Sequence, residues 1–198
     1  MKIIGVTGPS GSGKSMICRR LSENGICVID ADDVYHKLLI PPSECLDAIR
    51  AAFGDSVFSA DGCLDRSALA DVVFNDESKL ELLNSTVLDF VLRKIRSMIS
   101  ELEGNGHRTV AVDAPTLIES GFHMECDKVV SVLCPSEIRT ERIIARDRLS
   151  RDAATARTKA QKPDSFYIEH SSTVIINDGD TDMLEKSIGK LINEIKTV

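Results

Sequence analysis

Residues 8–15 carry a chemical motif in the first part of the chain. They read G-P-S-G-S-G-K-S and fit the pattern G-x-x-x-x-G-K-[ST] of a P-loop, whose glycines let the backbone wrap closely around phosphate. The amides of residues 11–15 are expected to point at phosphate oxygens, helped by the dipole of the following helix. Lys14 is expected to reach the β- and γ-phosphates of ATP, and the Ser15 hydroxyl to hold Mg²⁺. The alternative is a glycine- and serine-rich turn before a helix.

Two carboxylates follow the second apolar run of the chain. Asp30 and Asp32 are two positions apart, so in extended backbone their side chains share a face. A carboxylate at this place can accept the proton of an acceptor hydroxyl or orient that hydroxyl beside the γ-phosphate. We therefore expect Asp32 to act as the base, with Asp30 supporting it through a Mg²⁺-bound water or by orienting the loop. Asp30 is also expected to contact the substrate. The alternative role for such a pair is a solvated helix cap.

Three further side chains are candidates for contacts with the substrate. Asp113 ends an apolar run, as the Asp of a Walker B strand does, and can hold Mg²⁺ through water or contact the substrate. Glu119 follows it in the chain as a further candidate. His36 lies one helical turn after Asp32 and can help to bind an anionic substrate. The alternatives are a helix cap for Asp113 and a surface position for His36.

Three arginines share one face of a predicted helix, because Arg139, Arg142 and Arg146 are spaced i, i+3 and i+7. Beside ATP phosphates, such a face forms a lid and stabilises developing negative charge, as arginine fingers do. We expect Arg142 to be catalytic and Arg139 to bind ATP, and a solvated helix surface is the alternative. Asn177 ends the last predicted strand, where it can contact adenine or ribose or serve as an ordinary turn residue.

These candidates need elements that bring them together. Five apolar runs predict strands at residues 2–7, 26–30, 109–113, 128–133 and 173–177. Because helical patterns separate these runs, they indicate a parallel sheet covered on both faces, an α/β fold of three layers. Ligands of such sheets bind at the carboxyl ends of the strands. The P-loop, the two aspartates after the second strand and Asp113 are therefore expected at one edge of the sheet.

A long segment separates the second and third predicted strands. At about 75 residues it exceeds a simple crossover, so it must contain a helical insertion, which suits a cap over a substrate. One predicted helix follows an N-cap at Ser43, and another runs from Arg66 to Phe74. A long amphipathic helix is predicted over residues 76–103, with an apolar stripe that includes Leu80.

Composition narrows the class of protein. With 198 residues and 42% apolar content, the chain can bury one substantial core. A net charge of −7, no Trp and 4% aromatic residues argue against a nucleic-acid partner. No apolar run approaches the roughly 20 residues of a membrane span, no signal peptide precedes the first strand, and the scattered cysteines are expected to be reduced. We therefore expect a cytoplasmic protein without a membrane partner, either a monomer or a weak homo-oligomer.

Four stretches of the chain together resemble one enzyme family. They are I-G-V-T-G-P-S-G-S-G-K-S at 4–15, V-I-D-A-D at 28–32, V-D-A-P-T-L-I-E at 112–119 and E-R-I-I-A-R-D at 141–147. In this order and spacing they resemble the bacterial dephospho-coenzyme A kinases, and the resemblance covers nearly the whole chain. V-I-D-A-D directly after the first helix is more discriminating than the P-loop, which many NTPases share.

The resemblance implies a P-loop NTPase fold with a five-stranded parallel core, a helical cap for the CoA precursor and a mobile lid. We assign the core to about residues 1–32, 107–135 and 171–198, the cap to about 33–106 and the lid to about 136–170. The implied reaction transfers the γ-phosphate of ATP to the ribose 3′-hydroxyl of dephospho-CoA, the last step of coenzyme A synthesis. Asp32 matches the family's catalytic carboxylate. The residues that match its ATP-binding loop are Gly11, Ser12, Gly13, Lys14, Ser15 and Met16.

Two departures from the family pattern keep other readings open. Residues 115–119 read P-T-L-I-E where the family has P-L-L-F/L-E, and residues 83–87 lack the His-Pro pair that often opens the long cap helix. They motivate a second reading, a kinase of the same fold that acts on a nucleoside, a nucleoside monophosphate or another small molecule. A third reading is a non-catalytic nucleotide-binding switch, against which the two aspartates and the arginine face argue.

Overall fold

A five-stranded sheet is present in this computed structural model, which describes residues 1–73 and 76–197. The strands are β1 (Lys2–Thr7), β2 (Cys27–Asp30), β3 (Thr109–Asp113), β4 (Lys128–Leu133) and β5 (Thr173–Ile176). Their order across the sheet is β2-β3-β1-β4-β5. Strand β1 pairs in parallel with β3 and β4, and β4 pairs in parallel with β5. The predicted α/β fold with five strands is confirmed.

Helices follow the strands along the chain. They are α1 (Lys14–Glu23), α2 (Ala31–Leu38), α3 (Glu44–Phe53), α4 (Arg66–Val73), α5 (Glu77–Gly104), α6 (Ser136–Asp147), α7 (Arg151–Lys159), α8 (Asp164–Glu169) and α9 (Thr181–Lys196). Short 3₁₀ turns lie at Asp55–Val57 and Phe122–Glu125. Over the described parts of the chain, no helix combines the length and the apolar character that crossing a membrane requires.

The chain divides into two compact units. The first consists of Met1–Ile29 and Leu102–Val198, and the second of Asp30–Glu101. The first unit contains the whole sheet except Asp30, the last residue of β2, and the second contains α2, α3, α4 and most of α5. The division into core, cap and lid is finer than these two units and stays a prediction.

In the first unit, α1 and α9 pack their apolar faces on the central strands. Ile4 and Val6 of β1 are fully buried and belong to one apolar cluster with Ile17 of α1 and Leu184 and Ile188 of α9. Burying a side chain of this size stabilises the fold by about 1.5–3 kcal/mol. This core holds β1 and β3 side by side, so that the strand leading into the P-loop has a fixed neighbour.

The second unit is helical, as the length of the insertion predicts. The predicted cap of α3 is confirmed, because the Ser43 hydroxyl accepts a hydrogen bond from the Cys45 amide at 3.2 Å. In α5, Val87 is buried, but Leu80 is 37% exposed although the predicted stripe includes it. Periodicity defines the apolar face of a helix, but it does not define how far along the helix a neighbour covers that face. The predicted end of α4, Phe74, lies outside the described residues.

Candidate active site

The P-loop joins the end of β1 to the start of α1, which is the setting that the motif requires. Gly11 and Gly13 have positive φ angles of 79° and 99°. A Cβ atom on Gly11 would lie 2.8 Å from the Arg139 carbonyl oxygen, and one on Gly13 would overlap the side-chain amide nitrogen of Asn177. Neighbouring protein atoms therefore leave no room for a side chain at Gly11 and Gly13. The sequence motif gives a different reason for these glycines, the close approach of the backbone to phosphate.

Within the loop, several polar groups already have partners. The Lys14 ammonium donates to the Gly8 carbonyl at 2.9 Å. The Ser12 amide donates to the Pro9 carbonyl at 3.2 Å. It therefore has a partner within the loop, whereas the sequence predicts that the amides of residues 11–15 point at phosphate oxygens. The Ser12 hydroxyl is buried without a hydrogen-bond partner among the described residues. Ser15, in the first turn of α1, is exposed.

Two predicted site residues donate hydrogen bonds to backbone carbonyls of the P-loop. The Asn177 side-chain amide donates to the Ser12 carbonyl at 2.7 Å. The Arg142 guanidinium donates to the Gly11 carbonyl at 3.2 Å and to the Ser12 carbonyl at 3.3 Å. It also donates to the Asn177 side-chain oxygen at 3.2 Å. The structure thus brings Arg142, Asn177 and the P-loop together through the loop's own backbone.

The other two arginines of the predicted face also lie beside the P-loop. Arg139 is buried, and its guanidinium donates to the Gln161 side-chain oxygen at 2.9 Å. Arg146 is exposed and donates to the Ser10 hydroxyl at 3.3 Å. It also pairs with Asp147 at 2.8 Å, and this hydrogen bond is the main cause that holds the pKa of Asp147 below its usual value. The arginine face of α6 is therefore a neighbour of the loop, not a free surface.

Asp113 ends β3 next to the strand that leads into the P-loop, since the parallel register pairs it with Val6. The Cys18 thiol donates to its carboxylate at 3.3 Å. Cys18 lies four residues after Lys14, one turn along the helix that starts at the loop. The sequence reasoning missed Cys18, although the spacing of four from Lys14 places both residues on one side of α1.

Asp30, Asp32 and His36 lie in the second unit. The Asp30 carboxylate accepts hydrogen bonds from the amides of Asp32 at 2.9 Å and Asp33 at 3.1 Å, so it caps α2. This is the alternative that the sequence left open for the pair. The Asp32 side chain is exposed in the first turn of α2, where the helix dipole favours a negative charge. His36 is exposed near the other end of α2.

Glu119 lies in the first unit, in the connection that follows β3, and its side chain is exposed. Its negative charge adds to the effect of burial, which raises the pKa of Tyr167 to about 12. Tyr167 is thus a neutral phenol over the ordinary pH range. Within the part of the chain that the structure describes, Glu119 makes no hydrogen bond to the P-loop.

Comparison with known proteins bears on the identity of this site. A family model described as dephospho-CoA kinase matches residues 2–183. The chain belongs to the dephospho-CoA kinase family. A member from Carboxydothermus hydrogenoformans is 34% identical over 99% of this chain and 95% of its own length. A member from Thiobacillus denitrificans is 36% identical over 96% of this chain and 94% of its own.

Solved structures with a similar fold include a dephospho-CoA kinase, in agreement with this family membership. The crystal structure of TT1252 from Thermus thermophilus has a TM-score of 0.82 and 31% identity, covering 98% of this chain and 97% of that one. The dephospho-CoA kinase from Campylobacter jejuni has a TM-score of 0.72 and 27% identity, covering 98% of both chains. A shikimate kinase from Acinetobacter baumannii, at 18% identity and a TM-score of 0.57 over 100% of this chain and 94% of its own, shares the fold.

Proposed function

We propose that this chain is an ATP-dependent kinase that phosphorylates the ribose 3′-hydroxyl of dephospho-CoA and releases coenzyme A and ADP. The family match over residues 2–183 is the observation that carries the proposal. The P-loop between β1 and α1 supports it, because such a loop binds the phosphates of the donor. The phosphoryl group passes to a hydroxyl, so the protein must neutralise charge and position the acceptor.

ATP is proposed to bind along residues 11–16. The Lys14 ammonium is held at the loop by the Gly8 carbonyl, and on binding it turns to phosphate oxygens and neutralises the charge that develops there. Arg139 is proposed as a second ATP contact, because its Nε atom is buried without a hydrogen-bond partner among the described residues. A buried N–H group that lacks a partner gains free energy when a ligand oxygen accepts its hydrogen bond.

The oxygen donors of this region fit Mg²⁺. Ser15 offers an exposed hydroxyl in the first turn of α1, and Asp113 offers a carboxylate at the end of β3. Hydroxyl and carboxylate oxygens are the ligand types that this hard cation prefers. We propose that Ser15 binds the ion directly and that Asp113 holds it through water. Bound Mg²⁺ neutralises charge on the β- and γ-phosphates.

Asp32 is proposed as the base on the acceptor side. Its amide is fixed by the Asp30 carboxylate, and its own carboxylate is exposed and open to a ligand. The Asp32 carboxylate is proposed to orient the acceptor hydroxyl and to take its proton as the new O–P bond forms. Asp30 supports Asp32 by capping the helix. The contacts with the CoA precursor are proposed for His36, Asp113 and Glu119.

We propose that the enzyme works in the cytoplasm as a monomer or weak homo-oligomer, with dephospho-CoA as its small-molecule partner and with neither nucleic acid nor a membrane. Residues 33–106 are proposed as the substrate cap, and residues 136–170 as the lid. The net charge of −7 supports the absence of a nucleic-acid partner, because such partners select basic surfaces.

The proposal is tested by ADP release from ATP and Mg²⁺ with and without dephospho-CoA. Dephospho-CoA should stimulate the release, and Asp32→Asn should lower kcat by about 10²–10⁴-fold. ADP affinity should stay within about twofold, because the P-loop contacts remain. The matched control is Asp33→Asn, which removes an exposed carboxylate that pairs with Lys37 and should leave kcat within about twofold.

Two outcomes would contradict this function. One is the same rate of ADP release with and without dephospho-CoA. The other is stronger thermal stabilisation by a nucleoside monophosphate than by dephospho-CoA, which would favour a kinase of the same fold with a different acceptor.

A further inference from the structure

Asn177 is held firmly on both its backbone and its side chain. It follows β5 directly, and its amide donates to the Leu133 carbonyl of β4 at 2.8 Å, which continues the parallel ladder. The residue is only 4% exposed. Its side-chain amide, which donates to the Ser12 carbonyl at 2.7 Å, therefore has little freedom to turn elsewhere. A buried hydrogen bond of this kind is costly to break, because both groups would lose their partner away from water.

Arg142 approaches the same carbonyl from α6 and has only neutral acceptors. Besides the carbonyls of Gly11 and Ser12, it donates to the Cys134 sulfur at 3.4 Å and to the Asn177 side-chain oxygen at 3.2 Å. Burial raises the pKa of the Cys134 thiol, which therefore stays uncharged. Over residues 1–73 and 76–197, no carboxylate lies within ion-pair distance of Arg142. The position of Arg142 is thus set by hydrogen bonds to neutral acceptors and not by an ion pair.

The two side chains act on one peptide group. The Ser12 carbonyl and the Gly13 amide belong to the same planar trans peptide, so they point in opposite directions. When Asn177 and Arg142 bond the carbonyl, the Gly13 amide is turned away from them. A Cβ on Gly13 would overlap the Asn177 side chain, so this contact is also close-packed. The direction of the Gly13 N–H is therefore set by protein contacts.

We propose that Arg142 and Asn177 are positioning residues, which fix the peptide between Ser12 and Gly13 so that its amide is ready for a nucleotide phosphate before the nucleotide binds. This proposal rests on the proposed function only in taking the ligand to be a nucleotide. This role replaces the predicted catalytic role of Arg142 and the predicted adenine or ribose contact of Asn177. Preorganised amides bind anions more tightly, since binding then does not have to order the loop.

The affinity for ADP tests this role, because ADP lacks the phosphate that is transferred. Arg142→Met and Asn177→Ala should each weaken ADP binding about tenfold, as expected for the loss of one or two buried hydrogen bonds. The KM for ATP should rise by a similar factor, while kcat falls by less. Arg142→Lys keeps the charge but not the planar fork, so it should restore only part of the affinity. Isothermal calorimetry and steady-state kinetics give these values.

The double variant Arg142→Met/Asn177→Ala provides a sharper readout. Since both side chains hold the same carbonyl, the second substitution should add little, and ADP binding should weaken about tenfold rather than about 100-fold. Arg19→Gln is the matched control. Arg19 is an exposed arginine of α1 that pairs with Glu23 at 3.9 Å, and its loss should leave ADP affinity unchanged.

Three results would overturn the proposal. The first is a fall in kcat for Arg142→Met with unchanged ADP affinity, which would make Arg142 a group that acts on the transferred phosphate. The second is a double variant about 100-fold weaker than the native protein, which would make the two side chains independent. The third is native ADP affinity in Asn177→Asp, which keeps the shape of the side chain but cannot donate to the Ser12 carbonyl.

Thermal unfolding of each variant separates a loss of the fold from a loss of affinity. Asn177→Asp decides the question if Asn177→Ala does not fold, because it changes the volume of the side chain little. ADP binding is measured without dephospho-CoA. A lack of kinase activity toward that acceptor would therefore contradict the proposed function and leave this test unaffected.

Discussion

The P-loop and the start of α2 both carry predicted catalytic groups, but they are held in place in different ways. The Ser12 carbonyl of the P-loop is bonded by Arg142 and Asn177, which lie 130 and 165 residues away in the chain. Asp30, by contrast, caps α2 through amides two and three residues away. The first arrangement exists only when the sheet and α6 have formed, whereas the second needs a single turn of helix.

This difference indicates how each region responds to substitution. A change at Asn177 or at the Ser12 carbonyl disturbs buried groups that are close-packed, so a lost hydrogen-bond partner is hard to replace and the effect on ligand binding is large. A change at the start of α2 removes a cap on an exposed turn, where water can take over part of the lost hydrogen bonding. The following substitutions probe this contrast from the larger effect to the smaller.

Gly13→Ala should have the largest effect. The residue has a φ of 99°, and a Cβ would displace the Asn177 side chain from the Ser12 carbonyl. We expect ADP affinity, measured by calorimetry, to fall about 100-fold, because strain and a lost buried hydrogen bond both drive the loop out of its binding conformation.

Gly25→Ala is the matched control for this substitution. Gly25 has a similar φ of 82°, but within residues 1–73 and 76–197 no atom beyond its chain neighbours lies within 4 Å of the place that its Cβ would occupy. Its replacement should lower the free energy of unfolding by about 1 kcal/mol and leave ADP affinity unchanged. Equal ADP affinities for the two variants would show that neither the strain at Gly13 nor its contact with Asn177 affects ADP binding.

Asp30→Ala should have an intermediate effect. Losing the cap should lower the free energy of unfolding by about 1 kcal/mol, and kcat should fall about tenfold because the turn that carries Asp32 loosens. Asp30→Asn keeps an oxygen that caps the helix, so both quantities should stay near native values. If Asn lowers kcat as much as Ala does, the charge of Asp30 acts in the reaction, and its role is more than that of a cap.

Asp147→Asn should have the smallest effect, because it changes only exposed contacts of the loop. Asp147 pairs with Arg146, whose guanidinium reaches the Ser10 hydroxyl, and with Arg157. The hydrogen bond from Arg146 is the main cause that lowers the pKa of Asp147 in the folded state. The stabilising effect of the ionised Asp147 carboxylate is therefore present above 3.8, its pKa in the unfolded chain. It is lost as the pH falls through the lower pKa of the folded state.

Between pH 5 and pH 8, Asp147 should thus contribute no pH dependence. ADP affinity of Asp147→Asn, measured by calorimetry across that range, should stay within about twofold of the native protein. A tenfold loss at pH 7 would mean that exposed partners of the P-loop matter as much as the buried ones.

The parts of the molecule that depend on near neighbours in the chain could be predicted from the sequence. The P-loop lies between a strand and a helix because the motif and its flanking runs are contiguous. Ser43 caps α3 for the same reason. At Asp30 the sequence allowed two roles, since a carboxylate after a strand suits a reacting group and a helix cap equally well, and the structure shows the cap.

Contacts between distant parts of the chain could not be predicted. Asn177 lies where the sequence places it, at the end of β5, but its bond to Ser12 depends on the strand order of the sheet, which no spacing of residues encodes. Cys18 was missed because a buried thiol in a helix is ordinarily a core residue, and its hydrogen bond to Asp113 depends on the position of β3. The roles of Asp32, Lys14 and Ser15 in the reaction stay predictions.

The strand order also bears on how the protein is made. The P-loop is translated before β3 and β4, the neighbours of β1 in the sheet, and well before Asn177, whose side chain donates to the Ser12 carbonyl. Until Asn177 has been translated, the nascent P-loop lacks one of the partners that shape it. ATP in the cell therefore stabilises a chain that lacks this partner less than it stabilises the folded protein.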